Sequence, residues 1–217
     1  MSACLGAFIS RVLSVRSRLW HFIPVAGILG PLWLGATIVL LSIVQYDFMR
    51  GLGWHPLQAP TLDWPSGLAL GRYGFFMTSA FFGCGCLLMF FGWGLAHYVQ
   101  LAGSRAALLI RLAGLALTLL SFPTDPTLAA GPRTIPGLLH DAAFVLLGVT
   151  LFPALVVFAI QWSRTSMWKR YGLYTWATLL CIVPAFIFKG VAFYVFLVGI
   201  LLWFIIVSLR LSYNIPA

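Results

Sequence analysis

Four long stretches of this chain carry no charged side chain. Phe22–Val44, Tyr73–Ala96, Tyr171–Phe188 and Gly190–Leu209 contain no Asp, Glu, Lys or Arg. About 20 mostly apolar residues are enough to cross the hydrocarbon core of a bilayer as a helix. Each stretch is of that order, so the chain reads as a polytopic membrane protein. Composition agrees: 62% of residues are hydrophobic and 8% are charged, with a mean hydropathy of +1.02. A soluble domain carries roughly 25% charged residues. This chain cannot clothe a water-facing surface, so its outer surface faces lipid and its core is the interior of a helix bundle.

Two further spans are less clean. Ala106–Phe122 carries Arg111, and Ile135–Ile160 carries Asp141 close to its start. An Arg near a helix end can reach back to the headgroups. The expected fold is therefore all-α, an integral membrane bundle of six transmembrane helices. Three segments follow: a cytoplasmic N-terminal segment over residues 1–21, the six-helix domain over 22–210, and a cytoplasmic tail over 211–217. Arg11, Arg16 and Arg18 precede a long apolar run without a small-residue cleavage site, so that run reads as a retained span and not a signal peptide. Leu5–Trp20 mixes apolar residues with the three arginines. It reads either as an amphipathic interfacial helix or as a disordered tail. The last two spans meet around Lys189 and Gly190 and should form a tight antiparallel hairpin.

The formal net charge is +9, yet the 13 basic residues are scattered over short loops. That pattern sets orientation in a membrane and does not make a nucleic-acid surface. Six spans put both termini on one side. That side holds Arg11, Arg16, Arg18, Arg105, Arg111, Arg164, Lys169, Arg170 and Arg210; the other holds Arg50, Arg72, Arg133 and Lys189. The excess places both termini in the cytoplasm.

Chemistry is scarce. The chain has no Glu, and its acidic residues are Asp47, Asp63, Asp125 and Asp141. Cys84 and Cys86 lie two apart on a helix and point about 200° away from each other, so they read as packing residues. His21 and His97 fall near one membrane boundary, His55 and His140 near the other, which gives no clear axial pair for haem. His21 and His97 could in principle approach each other, and the sequence leaves the cofactor unknown. No two ligand-type residues have the helical spacing of a metal motif.

The richest stretch spans the third and fourth helices. Phe122-Pro123-Thr124-Asp125-Pro126 ends one, and Gly131-Pro132-Arg133-Thr134-Ile135-Pro136-Gly137-Leu138-Leu139-His140-Asp141 opens the next. Thr134 suits an N-cap and Pro136 the first turn. An ionisable residue within a span is a functional hypothesis by default. The candidate site is Asp63, Asp125, Arg133, His140 and Asp141. Asp125 and His140 are expected to meet, either as a polar clasp fixing two helices or as a ligand site.

Phe122-Pro-Thr-Asp-Pro126 followed by Gly137-Leu-Leu-His140 resembles the hallmark of a bacterial six-helix membrane family, domain of unknown function nine-nine-eight. The resemblance covers roughly Pro24 to Leu209. That family usually carries a Ser-Glu-Leu-Gly-like stretch before its second span; here the region reads Pro65-Ser66-Gly67-Leu68-Ala69, without the glutamate. The resemblance implies a bacterial cytoplasmic membrane location and the six-span fold, and no activity.

Three functions remain open. The leading one is a small integral membrane protein that binds lipid or serves as an accessory subunit of a larger membrane complex. Its partners are membrane lipids and other membrane subunits, with no nucleic acid. The rival is an enzyme on a lipid-like substrate, with Asp125 and His140 as acid and base and Arg133 on an anionic group. The third is a transporter, for which the chain shows no internal repeat.

Overall fold

The computed structural model describes residues 2–55, 57, 64–98, 103–126 and 131–213, with the side chains of residues 2–21, 97, 98, 103 and 104 outside that description. The described elements are all helical. Helix α1 runs Ser2–Val44, α2 Tyr46–Gly51, α3 Gly74–Tyr98, α4 Gly103–Leu119, α5 Ile135–Ser163, α6 Lys169–Leu180, α7 Ile182–Phe188 and α8 Gly190–Ser212. A 3₁₀ turn, Pro65–Leu70, precedes α3. Five stretches are long and apolar enough to cross a membrane: Phe22–Val44, Gly74–Ala96, Ile135–Ser163, Lys169–Phe188 and Gly190–Ser212. Helix α4, with 17 residues, is shorter than these. The amphipathic character of Leu5–Trp20 rests on side chains outside the described residues, as does any pairing of His21 with His97.

Each long helix packs on its neighbour in sequence, and α8 returns to α1. The result is a ring in the order α1, α3, α4, α5, α6–α7, α8. The α1–α3–α4 side is tight because glycine lets backbones approach. A Cβ on Gly114 would lie 2.7 Å from the Met89 amide nitrogen and 2.8 Å from the Gly85 carbonyl oxygen. The other side is joined differently. Trp203 Nε1 donates to Thr175 Oγ1 (2.8 Å) and Tyr174 OH donates to the Gly199 carbonyl (2.8 Å), tying α8 to α6. Trp162, Trp168 and Trp203 stack at that end of the bundle, with ring centroids 5.0 and 5.7 Å apart.

Toward the opposite end the second half loosens. Pro184 has no N–H to give the Leu180 carbonyl, and the helix breaks at Cys181 into α6 and α7. Lys189 alone separates α7 from α8, at φ 51° and ψ −132°. This is the only positive φ on a described non-glycine residue, and it makes the sharp hairpin that the short junction implies.

The first loop is held down by Gln45, a buried residue at the end of the first apolar run. Its Nε2 donates to the Leu68 carbonyl (3.1 Å), and its Oε1 accepts from the Tyr73 amide (3.0 Å). Trp54 is buried, and its Nε1 donates to Tyr194 OH (2.9 Å). Trp64 packs on Phe193, Phe144 and Phe186 at 4.8, 5.7 and 5.9 Å. We call this end of the bundle the loop end.

Candidate functional site

The loop between α4 and α5 is built around one carboxylate. Thr134 caps α5, its Oγ1 accepting from the Gly137 amide (3.1 Å), with Pro136 in the first turn. Asp125 in turn holds the cap: it accepts from Thr134 Oγ1 (2.7 Å) and from the Thr134 amide (2.9 Å). A Cβ at position 137 would strike this carboxylate, so glycine is needed there. The two Thr134 bonds, hydroxyl first, hold the Asp125 carboxyl below the usual carboxylate range, against a weaker opposing desolvation and with the smallest contribution from nearby Arg133. Arg133 lies 3.8 Å from Asp125 and pairs directly with Asp141. Asp125 thus fixes where α5 begins, and its acceptor sites are turned to the loop.

His140 does something different. It is 4% exposed, and its Nδ1 lies 2.7 Å from the Phe122 carbonyl oxygen. A carbonyl only accepts, so Nδ1 carries the hydrogen, and Nε2 is the ring nitrogen left for another partner. The ring stands edge-on to Phe81. Asp125 and His140, expected to meet, bond different partners, Thr134 and the Phe122 carbonyl. The two carry no mutual hydrogen bond; each ties the end of α4 to the start of α5 through its own partner. Asp63 lies outside the described residues.

His140 and Asp141 also line a pocket of about 180 Å³ with Thr124, Ser66 and Trp64. Below it, within the ring, is a cavity of about 600 Å³. The two share Leu34, Leu117, Phe144, Leu147, Phe193 and Leu197 as wall. The lower cavity is walled almost wholly by apolar side chains, with Cys84 on the α3 side and Phe152, Phe196 and Ile200 on the far side. It reaches the bundle surface beside α5, where Val145 and Val149 are lining residues that are also exposed. There α5 faces α7 and α8 through phenylalanine rings. Phe186 stands 6.1 Å from Phe144 and 6.2 Å from Phe152.

The arrangement is an apolar chamber with a polar neck and a side opening. The scarcity of acidic residues and the place of His140 and Asp141 within a span pointed to the two residues that line the neck, whereas the expected Asp125 and Arg133 do not line it. Sequence reasoning missed Gln45 and Ser66, and the chamber itself. Gln45 carried one signal, as an amide side chain directly after a charge-free run. Among the described residues no group of three His, Cys, Asp or Glu is placed to hold a metal ion, and Cys84, Cys86 and Cys181 are free thiols.

A family model described as Protein of unknown function (DUF998) matches residues 34–210, and the chain belongs to that family. No curated protein and no solved structure matches it.

Proposed function

We propose that this DUF998-family protein is an integral membrane protein that holds one lipid-like amphiphile inside its helix ring, tail in the chamber and head in the neck. The observation that carries this reading is the chamber's size and lining. The cavity of about 600 Å³ opens beside α5, where the lining residues Val145 and Val149 are exposed on the bundle surface, so a chain from the surrounding lipid has a way in. Water does not fill such a space, because a buried water needs polar partners and these walls offer almost none. A hydrocarbon tail needs none. The volume lies within the range of small-molecule sites, about 300–1,000 Å³.

In this reading α4 is the sixth span. Its 17 residues cover about 26 Å at 1.5 Å per residue, and Leu120–Phe122 with Arg105 and Arg111 adjust its ends to the interfaces. The distribution of basic residues then sets both termini in the cytoplasm and the loop end outward, in a bacterial cytoplasmic membrane. A role as accessory subunit is compatible with a chamber that delivers or retains a lipid for a larger complex.

The test is native mass spectrometry of protein purified in mild detergent. One lipid should remain per chain. Gly148→Leu should remove it, because Gly148 lines the chamber and a Cβ there meets only the Phe152 ring, at 3.6 Å. Wild-type protein free of lipid, or a variant that keeps it, would reject the chamber.

A further inference from the structure

The neck offers hydrogen-bond acceptors and a balanced charge. His140 presents Nε2, since Nδ1 is committed to the Phe122 carbonyl. Ser66 lines the neck and has a hydroxyl that can accept or donate. The Asp141 carboxylate is matched by Arg133, which also faces Asp125. An anionic head would meet the Asp141 carboxylate, the one acidic group that lines the neck, and Arg133, which does not line it, is already engaged with that carboxylate. A cationic head would compete with Arg133 for the same oxygens. Lys189 does not line the neck; its ammonium stands 5.0 Å over the Trp64 ring. The group that fits without breaking these pairs is uncharged and brings its own donor.

Resting on the chamber reading above, we infer that the ligand is a single-chain lipid with an uncharged hydroxyl head, such as a monoacylglycerol. One head hydroxyl donates to His140 Nε2, and a head oxygen accepts from the Ser66 hydroxyl. The glycerol-sized head occupies the 180 Å³ neck and the tail occupies the 600 Å³ cavity beneath it. The chain slides in from the bilayer past Phe186, between α5 and α7, so the head need not cross water.

Binding to the purified full-length protein in detergent distinguishes the possibilities, with three probes of one chain length. Monoolein has the hydroxyl donors, methyl oleate has none, and oleate at alkaline pH is an anion. Monoolein should bind roughly tenfold more tightly than methyl oleate, as expected when a buried acceptor is otherwise left unpaired. Oleate should bind less tightly than monoolein. His140→Phe should reduce the monoolein-to-methyl-oleate ratio to about one. Ser66→Ala, in the 3₁₀ turn, should reduce it partly, and it carries the test if His140→Phe does not fold. Equal binding of monoolein and methyl oleate, abolished by Gly148→Leu, would overturn the head-group assignment and leave the chamber standing. Tighter binding of oleate would do the same. Binding of all three that Gly148→Leu leaves unchanged would overturn the chamber, and this inference with it.

Discussion

The half of the ring made by α1, α3 and α4 and the half made by α5 to α8 differ in the side chains at their seams. In the first, glycine brings backbones together: Gly85 against Gly114, and Gly30 with a would-be Cβ 3.4 Å from Cys84 Sγ. In the second, glycine brings backbones together at one end, where a Cβ on Gly172 would lie 2.6 Å from the Ser163 amide nitrogen, while toward the loop end Phe144 and Phe152 of α5 meet Phe186 of α7 and Phe196 of α8 through their rings. Small residues give van der Waals contact that lipid cannot replace. Where large rings meet instead, space is left between the helices. The difference teaches where the ring is tight and where it is loose, with residues of both halves lining the chamber. Asp125 holds the cap of α5 while His140 lines the neck, although the sequence sets them 15 positions apart in one motif.

The largest effect should come from placing one residue type in both halves. Gly85→Leu drives a side chain into the α4 backbone and should cost about 3 kcal/mol or more, seen as lost monodisperse protein on size exclusion. Gly148→Leu grows into the chamber, where a Cβ meets only the Phe152 ring, and should leave the protein monodisperse. Equal damage at both positions would erase the comparison.

Next comes the clasp. Gly137→Ala sets a methyl against the Asp125 carboxylate and should destabilise by about 1–3 kcal/mol. Asp125→Ala and Thr134→Ala should each lower the melting temperature, and the double variant should lose less than the sum, because the two residues bond each other. Strict additivity would show that the carboxylate does not hold the cap.

Acid gives a smaller and graded effect. The folded-state pKa of Asp125 is depressed, so its stabilising contribution is fully present above the ordinary carboxylate value, about 3.9, and is lost as pH falls through the depressed value. The gap in melting temperature between wild type and Asp125→Asn should therefore persist near neutral pH and shrink in strong acid. A gap that widens on acidification would contradict the assignment.

The smallest expected effect on stability is at Phe186, which is 36% exposed. Phe186→Ala should change the melting point little yet speed exchange of bound lipid with detergent micelles, measured by stopped flow. Unchanged exchange would place the opening elsewhere.

Much of this was legible in the chain. Charge-free runs mark helices because a membrane tolerates nothing else there, and Thr134 with Pro136 marks the start of α5 by local rules alone. The junction at Lys189 was legible from the shortness of the connection. The rest depends on contacts distant in sequence. That Asp125 bonds Thr134 instead of His140 follows from how the loop folds back, which residue types do not fix. The break at Cys181 has a local cause in Pro184, but its effect is to loosen α7 from α5, which requires knowing the neighbour. The chamber is an absence between helices, created when α8 closes on α1, and no single residue announces it.

Photolabelling in the intact membrane tests the central claim most directly. A fatty-acyl diazirine incorporated into the lipids reacts with whatever side chains its tail touches. The account predicts labels on Leu88, Leu151, Phe196 and Ile200, which are buried and line the chamber, as well as on outward residues such as Val39, Ile43 and Leu180. Gly148→Leu should abolish the first set and leave the second. Labels confined to the outward residues in wild-type protein would contradict it.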